Sequence, residues 1–92
     1  MRSIEFKASF DKTCQKLSSL EKSKVTEAID TLLGALEAGS APTGLGLKRL
    51  QGDQWEIRVG LNLRVGFRMR KNAIEFGIVG SHDLIKKYLK NL

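Results

Sequence analysis

The sequence holds one cysteine, one histidine and one proline, and no apolar run approaches the roughly 20 residues of a membrane span. Each scarcity excludes something. A lone Cys14 cannot close an internal disulfide, and it falls at an apolar position of an expected helix, where it reads as a small core side chain. One histidine and one cysteine cannot assemble a zinc ligand set. No glycine pattern of the P-loop or dinucleotide kind follows a strand either, so neither a metal nor a cofactor is expected. Met1-Arg2-Ser3-Ile4-Glu5 does not lead into a hydrophobic stretch of signal-peptide type, so the expected address is cytoplasmic, with no membrane partner. One proline and nine glycines are too few for a collagen-like or disordered chain. Ninety-two residues are expected to make one domain, 1–92, with one modest core.

What is abundant is positive charge, and it is concentrated. The net charge is +6. Residues 1–47 balance six basic against six acidic side chains. Residues 48–71 carry Lys48, Arg49, Arg58, Arg64, Arg68, Arg70 and Lys71 against only Asp53 and Glu56, so five of the six net charges lie there. A basic segment of this kind is the footprint of a phosphate-rich or acidic partner, or of a surface that is merely well solvated.

Periodicity orders the chain as strand, two helices, a run of strands and a closing helix. Ile4 and Phe6 alternate with Ser3, Glu5 and Lys7 in a short strand. Ser9 is placed to cap a helix that turns Phe10, Cys14 and Leu17 to one side. Val25, Ala28, Ile29, Leu32, Leu33 and Leu36 then follow the spacing of an amphipathic helix, with Ser18 and Glu21 at capping-box spacing and Gly39 at its end. Proline and two glycines in Ser40–Gly46 make a loop. Leu47–Leu50 reads as a short strand and Gly52-Asp53 as a turn. Trp55, Ile57 and Val59 alternate in the next strand, and Leu63, Val65, Phe67 and Met69 in the one after it. A hairpin at Lys71-Asn72 leads to Ile74, Phe76 and Ile78. Asp83–Leu92 places Leu84, Ile85, Tyr88, Leu89 and Leu92 on one side of a final helix, with Asp83 as a candidate cap.

Because side chains in a strand alternate between faces, Trp55, Ile57, Val59, Val65, Phe67, Ile74, Phe76 and Ile78 are expected to face the helical hairpin and the arginines to share the opposite face. Gly66 and Gly77 belong to that arginine face and would leave a shallow trough in it, unless they mark a bulge. The expected fold class is α+β, a small and mostly antiparallel twisted sheet under a helical hairpin.

Strand, helical hairpin, Gly/Pro loop, Leu47-Lys-Arg-Leu-Gln-Gly52, Trp55-Glu-Ile-Arg-Val59, Leu63-Arg-Val-Gly-Phe67 and Val79-Gly-Ser-His-Asp83 before a helix bearing Tyr88 follow one another along nearly the whole chain. In that order they resemble the RelE/ParE superfamily of toxins from type II toxin–antitoxin systems. The resemblance implies a RelE-like α+β fold and a cognate antitoxin protein as partner. Of that family's two targets, mRNA cleaved on the ribosome without metal and DNA gyrase poisoned by the other branch, the resemblance favours the first, since His82 and the arginine face argue against the gyrase branch.

Metal-free cleavage uses the 2′-hydroxyl of the RNA as nucleophile and asks the protein to stabilise the phosphorane and manage two protons. The resemblance makes Arg64 the phosphate clamp, suited to bidentate binding by a guanidinium that never deprotonates. Arg58 and Arg68 continue its stripe, and Lys48 and Arg49 add to it, all four as substrate-binding residues. Arg58 is equally suited to pair with Glu56 or Glu75. His82 is the proton-transfer candidate, histidine being the side chain whose ordinary pKa of ~6.5 suits that role near neutrality. Tyr88 matches a C-terminal aromatic of the family that stacks on a base or assists proton transfer, yet it shares its helix side with four leucine and isoleucine residues. Glu56 departs from the family, where many nucleases carry lysine, and is expected to weaken phosphate binding. A basic RNA- or partner-binding module without activity stays open beside the nuclease and the gyrase inhibitor.

Overall fold

The structure, a computed structural model, describes residues 2–92. Strand β1 (Ser3–Phe6) leads into helices α1 (Ala8–Gln15) and α2 (Ser19–Glu37). Strands β2 (Lys48–Gln51), β3 (Gln54–Val59), β4 (Leu63–Met69) and β5 (Ala73–Gly80) follow, and helix α3 (His82–Lys90) closes the chain. The five strands form one sheet in the order β1-β5-β4-β3-β2. β1 runs parallel to β5 and every other neighbouring pair is antiparallel. This is the expected α+β architecture.

Helix α2 starts where its chemistry says it must. The Ser18 side chain accepts from the Glu21 N–H at 3.1 Å while the Glu21 carboxylate accepts from the Ser18 N–H at 2.9 Å, a complete capping box. At the other end Gly39 sits at φ +72°, its N–H donating to Leu36 O and the Ser40 N–H to Ala35 O, which satisfies carbonyls the helix leaves free. Ser18→Ala is expected to cost about 1 kcal/mol, read as a melting temperature lowered by roughly 4–8 °C. An unchanged midpoint would show that tertiary packing alone defines this helix start.

Ser9 does not cap α1. Lys7 is the N-cap residue and offers no side-chain hydrogen bond. Ser9 lies inside the helix and donates to the Gly77 carbonyl at 2.5 Å, while Thr13 Oγ1 accepts from the Val79 N–H at 3.1 Å. These two bonds tie α1 to an irregularity in β5. Gly66 pairs with Ile78, but the next residue, Phe67, pairs with Phe76, so Gly77 is an extra residue on β5.

That bulge corrects the expected face assignment. Before it, Ile74 and Phe76 face the hairpin with Ile57, Val59, Val65 and Phe67. After it, Val79 takes the hairpin side, joining a core that includes Phe10, Val25, Ile29 and Leu32, and Ile78 turns to the other face. Trp55 packs at the margin of that core, half-buried.

The second face is not an open arginine surface. Helix α3 packs across β4 and β5, with Ile85 fully buried. A Cβ on Gly66 would come within 2.9 Å of Ile78 Cγ2 and 3.5 Å of Ile85 Cδ1, and one on Gly77 would collide with the Tyr88 hydroxyl. The two glycines therefore make room for the protein's own helix, and the expected trough is filled. Leu92, read as part of the apolar side, lies beyond α3 and is 58% exposed.

Candidate functional site

What α3 leaves uncovered is one end of the sheet. There the residues Arg58 on β3, Arg64 on β4 and Gly80 on β5 stand in register across three strands. Residues directly opposite in a ladder share a face, so both arginines project on the α3 side. The chain then turns through Ser81, whose hydroxyl caps α3 by accepting from the Leu84 N–H at 3.2 Å. The cap is Ser81 and not Asp83. A Cβ on Gly80 would collide with Leu84, so glycine allows the helix to fold tightly back on the strand it follows. This tight turn brings His82, the first residue of α3, onto Arg64.

Arg64 is the centre of the site. Its Nη1 lies 3.1 Å from Glu56 Oε2 and 2.5 Å from His82 Nδ1. Glu56 is 1% exposed, the only buried charged side chain among the described residues, whereas His82 is exposed. The guanidinium thus bridges a buried carboxylate beneath and an imidazole at the surface. A guanidinium has no acceptor atom. Its contact with Nδ1 is a hydrogen bond only when that nitrogen is bare, which places the neutral ring's proton on Nε2.

Glu56 stands where sequence reasoning did not place it: its carboxylate is buried and paired with Arg64 instead of facing solvent. A buried carboxylate demands a charged partner, since an isolated one is strongly penalised in the interior. The signal was present in the alternation: Glu56 and Arg58 share a face, and Arg64 opposite Arg58 is the diagonal neighbour of Glu56.

The other candidates divide. Arg58 is exposed and makes neither of the pairs with Glu56 or Glu75 considered for it. Lys48 pairs in register with Glu56 and so belongs to the same face. Arg49 stands opposite Trp55, on the hairpin side, and its Nε donates to the Gly52 carbonyl at 2.7 Å. Arg68 is turned to the β2–β3 turn, where its Nε meets Asp53 Oδ2 at 2.7 Å. This hydrogen bond holds the Asp53 carboxyl below its ordinary range and the guanidinium above its own. Both groups are well exposed, so the pair adds little to stability.

Tyr88 is not brought to Arg64 and His82. It lies six positions beyond His82, about 9 Å along the helix axis. Its hydroxyl lies on Gly77 and accepts from Lys7 Nζ at 3.2 Å, which fastens the far end of α3 to the start of α1. Gly77→Ala is accordingly expected to destabilise the fold by about 1–3 kcal/mol through overpacking. In a Tyr88→Ala background the same change should cost almost nothing further. Equal costs in both backgrounds, measured by urea denaturation, would refute the contact.

A half-buried arginine held by a buried carboxylate, a second, exposed arginine and an exposed imidazole thus stand together at one end of the mixed sheet of a small α+β protein. Solved structures give that description a fold. RelE in the RelB–RelE antitoxin–toxin complex of Methanococcus jannaschii matches with a TM-score of 0.70 and 22% identity, over 91% of this chain and 96% of the other. The Escherichia coli DinJ–YafQ complex matches with a TM-score of 0.74 and 15% identity, over 92% and 98%. The YoeB dimer of Staphylococcus aureus matches with a TM-score of 0.66 and 16% identity, over 88% and 97%. No family model and no curated protein matches the chain. The chain has the fold of the RelE, YafQ and YoeB toxins of type II toxin–antitoxin systems, and at these identities the fold is what they share. Among the described residues no helix is long and apolar enough to cross a membrane.

Proposed function

We propose that this protein is a metal-independent endoribonuclease toxin that cleaves mRNA on the ribosome, inhibits translation and is neutralised by a cognate antitoxin. The observation that carries the reading is Arg64 held between buried Glu56 and exposed His82, with Arg58 beside it in register. Antitoxins accompany RelE and YafQ in the complexes named above, which supports the partner.

In this mechanism the substrate supplies its own nucleophile. The 2′-oxygen attacks the adjacent phosphorus and loses its proton to water, and the bond from phosphorus to the 5′-oxygen breaks. A 2′,3′-cyclic phosphate and a 5′-hydroxyl result. Arg64 turns from His82 to the phosphate and stabilises the charge that grows on its oxygens, anchored throughout by Glu56. Once Arg64 has left, Nδ1 takes a proton from solvent, and the imidazolium delivers its Nε2 proton to the departing 5′-oxygen. Arg58 holds the same or the neighbouring phosphate, and Lys48 extends the basic path.

The test is cleavage of a defined mRNA on purified translating ribosomes, with the product ends identified chemically. The proposal requires cyclic-phosphate ends, and no cut where the attacking nucleotide is 2′-deoxy. Intact mRNA would reject the nuclease and leave the two binding alternatives. Inhibition of purified gyrase would then select the first of these. For the other, RNA affinity should fall steeply with salt as counterions are released.

A further inference from the structure

The loop between α2 and β2 carries a feature that bears on Arg58. Leu45 and Leu47 both pack against the core, and the Leu45 carbonyl accepts the backbone N–H of Arg58 at 2.6 Å. Gly46 lies between these anchors at φ +59°. A Cβ built on it would stand 3.2 Å from Arg58 Cδ, 3.3 Å from Cγ and 3.6 Å from Cβ. Three successive carbons of the arginine stem therefore lie along the bare face of one glycine.

We infer that Gly46 is a positioning residue that sets the direction in which Arg58 presents its guanidinium. The inference rests on the reading of Arg58 as a phosphate-holding residue. An arginine stem has four rotatable bonds, and an exposed one samples many rotamers. Here the first three carbons are held against backbone at one side, so the charged end leaves the sheet from a defined point beside Arg64. A side chain at position 46 would lift the stem, since contacts of 3.2–3.3 Å are tighter than ordinary packing allows.

The loop supplies its own control. Gly44 also adopts a left-handed conformation, φ +81°, but a Cβ there meets nothing within 4 Å. Gly44→Ala therefore carries backbone strain alone, whereas Gly46→Ala carries strain and a close contact that pushes the Arg58 stem aside by a few tenths of an ångström. Both variants should lose comparable thermal stability, because both force alanine into the left-handed region. Only Gly46→Ala should weaken binding of a short single-stranded RNA oligonucleotide and mRNA cleavage, each by about tenfold, the scale of coupling between residues in contact. In an Arg58→Ala background that tenfold loss should vanish. The Arg58 Nε–H correlation in an NMR spectrum, assigned with Arg58→Lys, should move in Gly46→Ala and stay in place in Gly44→Ala.

Equal effects of the two alanines on RNA binding and cleavage, or a Gly46→Ala loss that persists without Arg58, would overturn the inference. A wild-type chain that neither binds nor cuts RNA would instead sink the nuclease reading. The NMR comparison needs no RNA and would still decide whether Gly46 holds the arginine.

Discussion

Arg64→Ala is expected to lower mRNA cleavage by roughly 10²–10³-fold, the loss that follows removal of one charge-stabilising donor from a reaction centre. It should also destabilise the fold by about 3 kcal/mol or more, because breaking a buried pair strands a charge. The stranded charge is Glu56, 1% exposed and 3.1 Å from Arg64 Nη1. The two losses have different causes and can be separated. Arg64→Lys keeps a cation over Glu56 but cannot reach carboxylate, imidazole and phosphate with one rigid fork. It should retain most of the stability and little of the cleavage. Arg64→Met with Glu56→Leu replaces both charges by apolar groups of similar volume, a change that is often neutral or stabilising. That double variant should be folded and inactive. Urea denaturation and the ribosomal cleavage assay on the same preparations give both readings. Near-native cleavage by folded Arg64→Lys or by the double variant would remove Arg64 from the reaction.

This pair also marks where sequence reasoning stops. The order of elements, the α2 capping box, the Gly39 terminus and the hairpin turns follow from local chemistry, and the structure has them where spacing put them. The position of Arg58 beside Arg64 was legible too, since period 2 fixes faces wherever a strand is regular. β5 is not regular. A single extra residue at Gly77 inverts the alternation after it, sending Ile78 to α3 and Val79 to the hairpin core. Two adjacent apolar residues following a glycine were the visible trace, and of the two readings weighed for Gly77, trough or bulge, the bulge is the one the structure has. The cover of the second face by α3 was overlooked for a related reason. Periodicity identified the apolar side of that helix correctly, yet nothing local says which surface it must bury against. Gly66 and Gly77, read as a shallow trough or a bulge, are space for Ile78, Ile85 and Tyr88. The burial of Glu56 was not legible, because charge was counted as though every carboxylate faced water, whereas this one is buried and paired with Arg64.

His82→Ala is expected to lower cleavage of ordinary RNA by about 10²–10⁴-fold, the range that general acid–base groups contribute. Its effect on stability should be small, since the ring is exposed and Ser81 supplies the cap of α3. Loss of activity alone would not distinguish a proton donor from a side chain that merely steadies Arg64 at 2.5 Å. The leaving group does distinguish them. If Nε2 protonates the departing 5′-oxygen, a substrate whose scissile 5′-oxygen is replaced by sulfur should be cut by His82→Ala at nearly the wild-type rate, because a thiolate departs without a proton. Arg64→Lys should remain defective on that substrate, as the growing phosphorane charge still needs its clamp. Equal defects of His82→Ala on oxygen and sulfur substrates would move His82 from proton donor to support of Arg64. The contact of Nδ1 with Arg64 in the resting site favours the donor, since it leaves the exposed ring only Nε2–H to give.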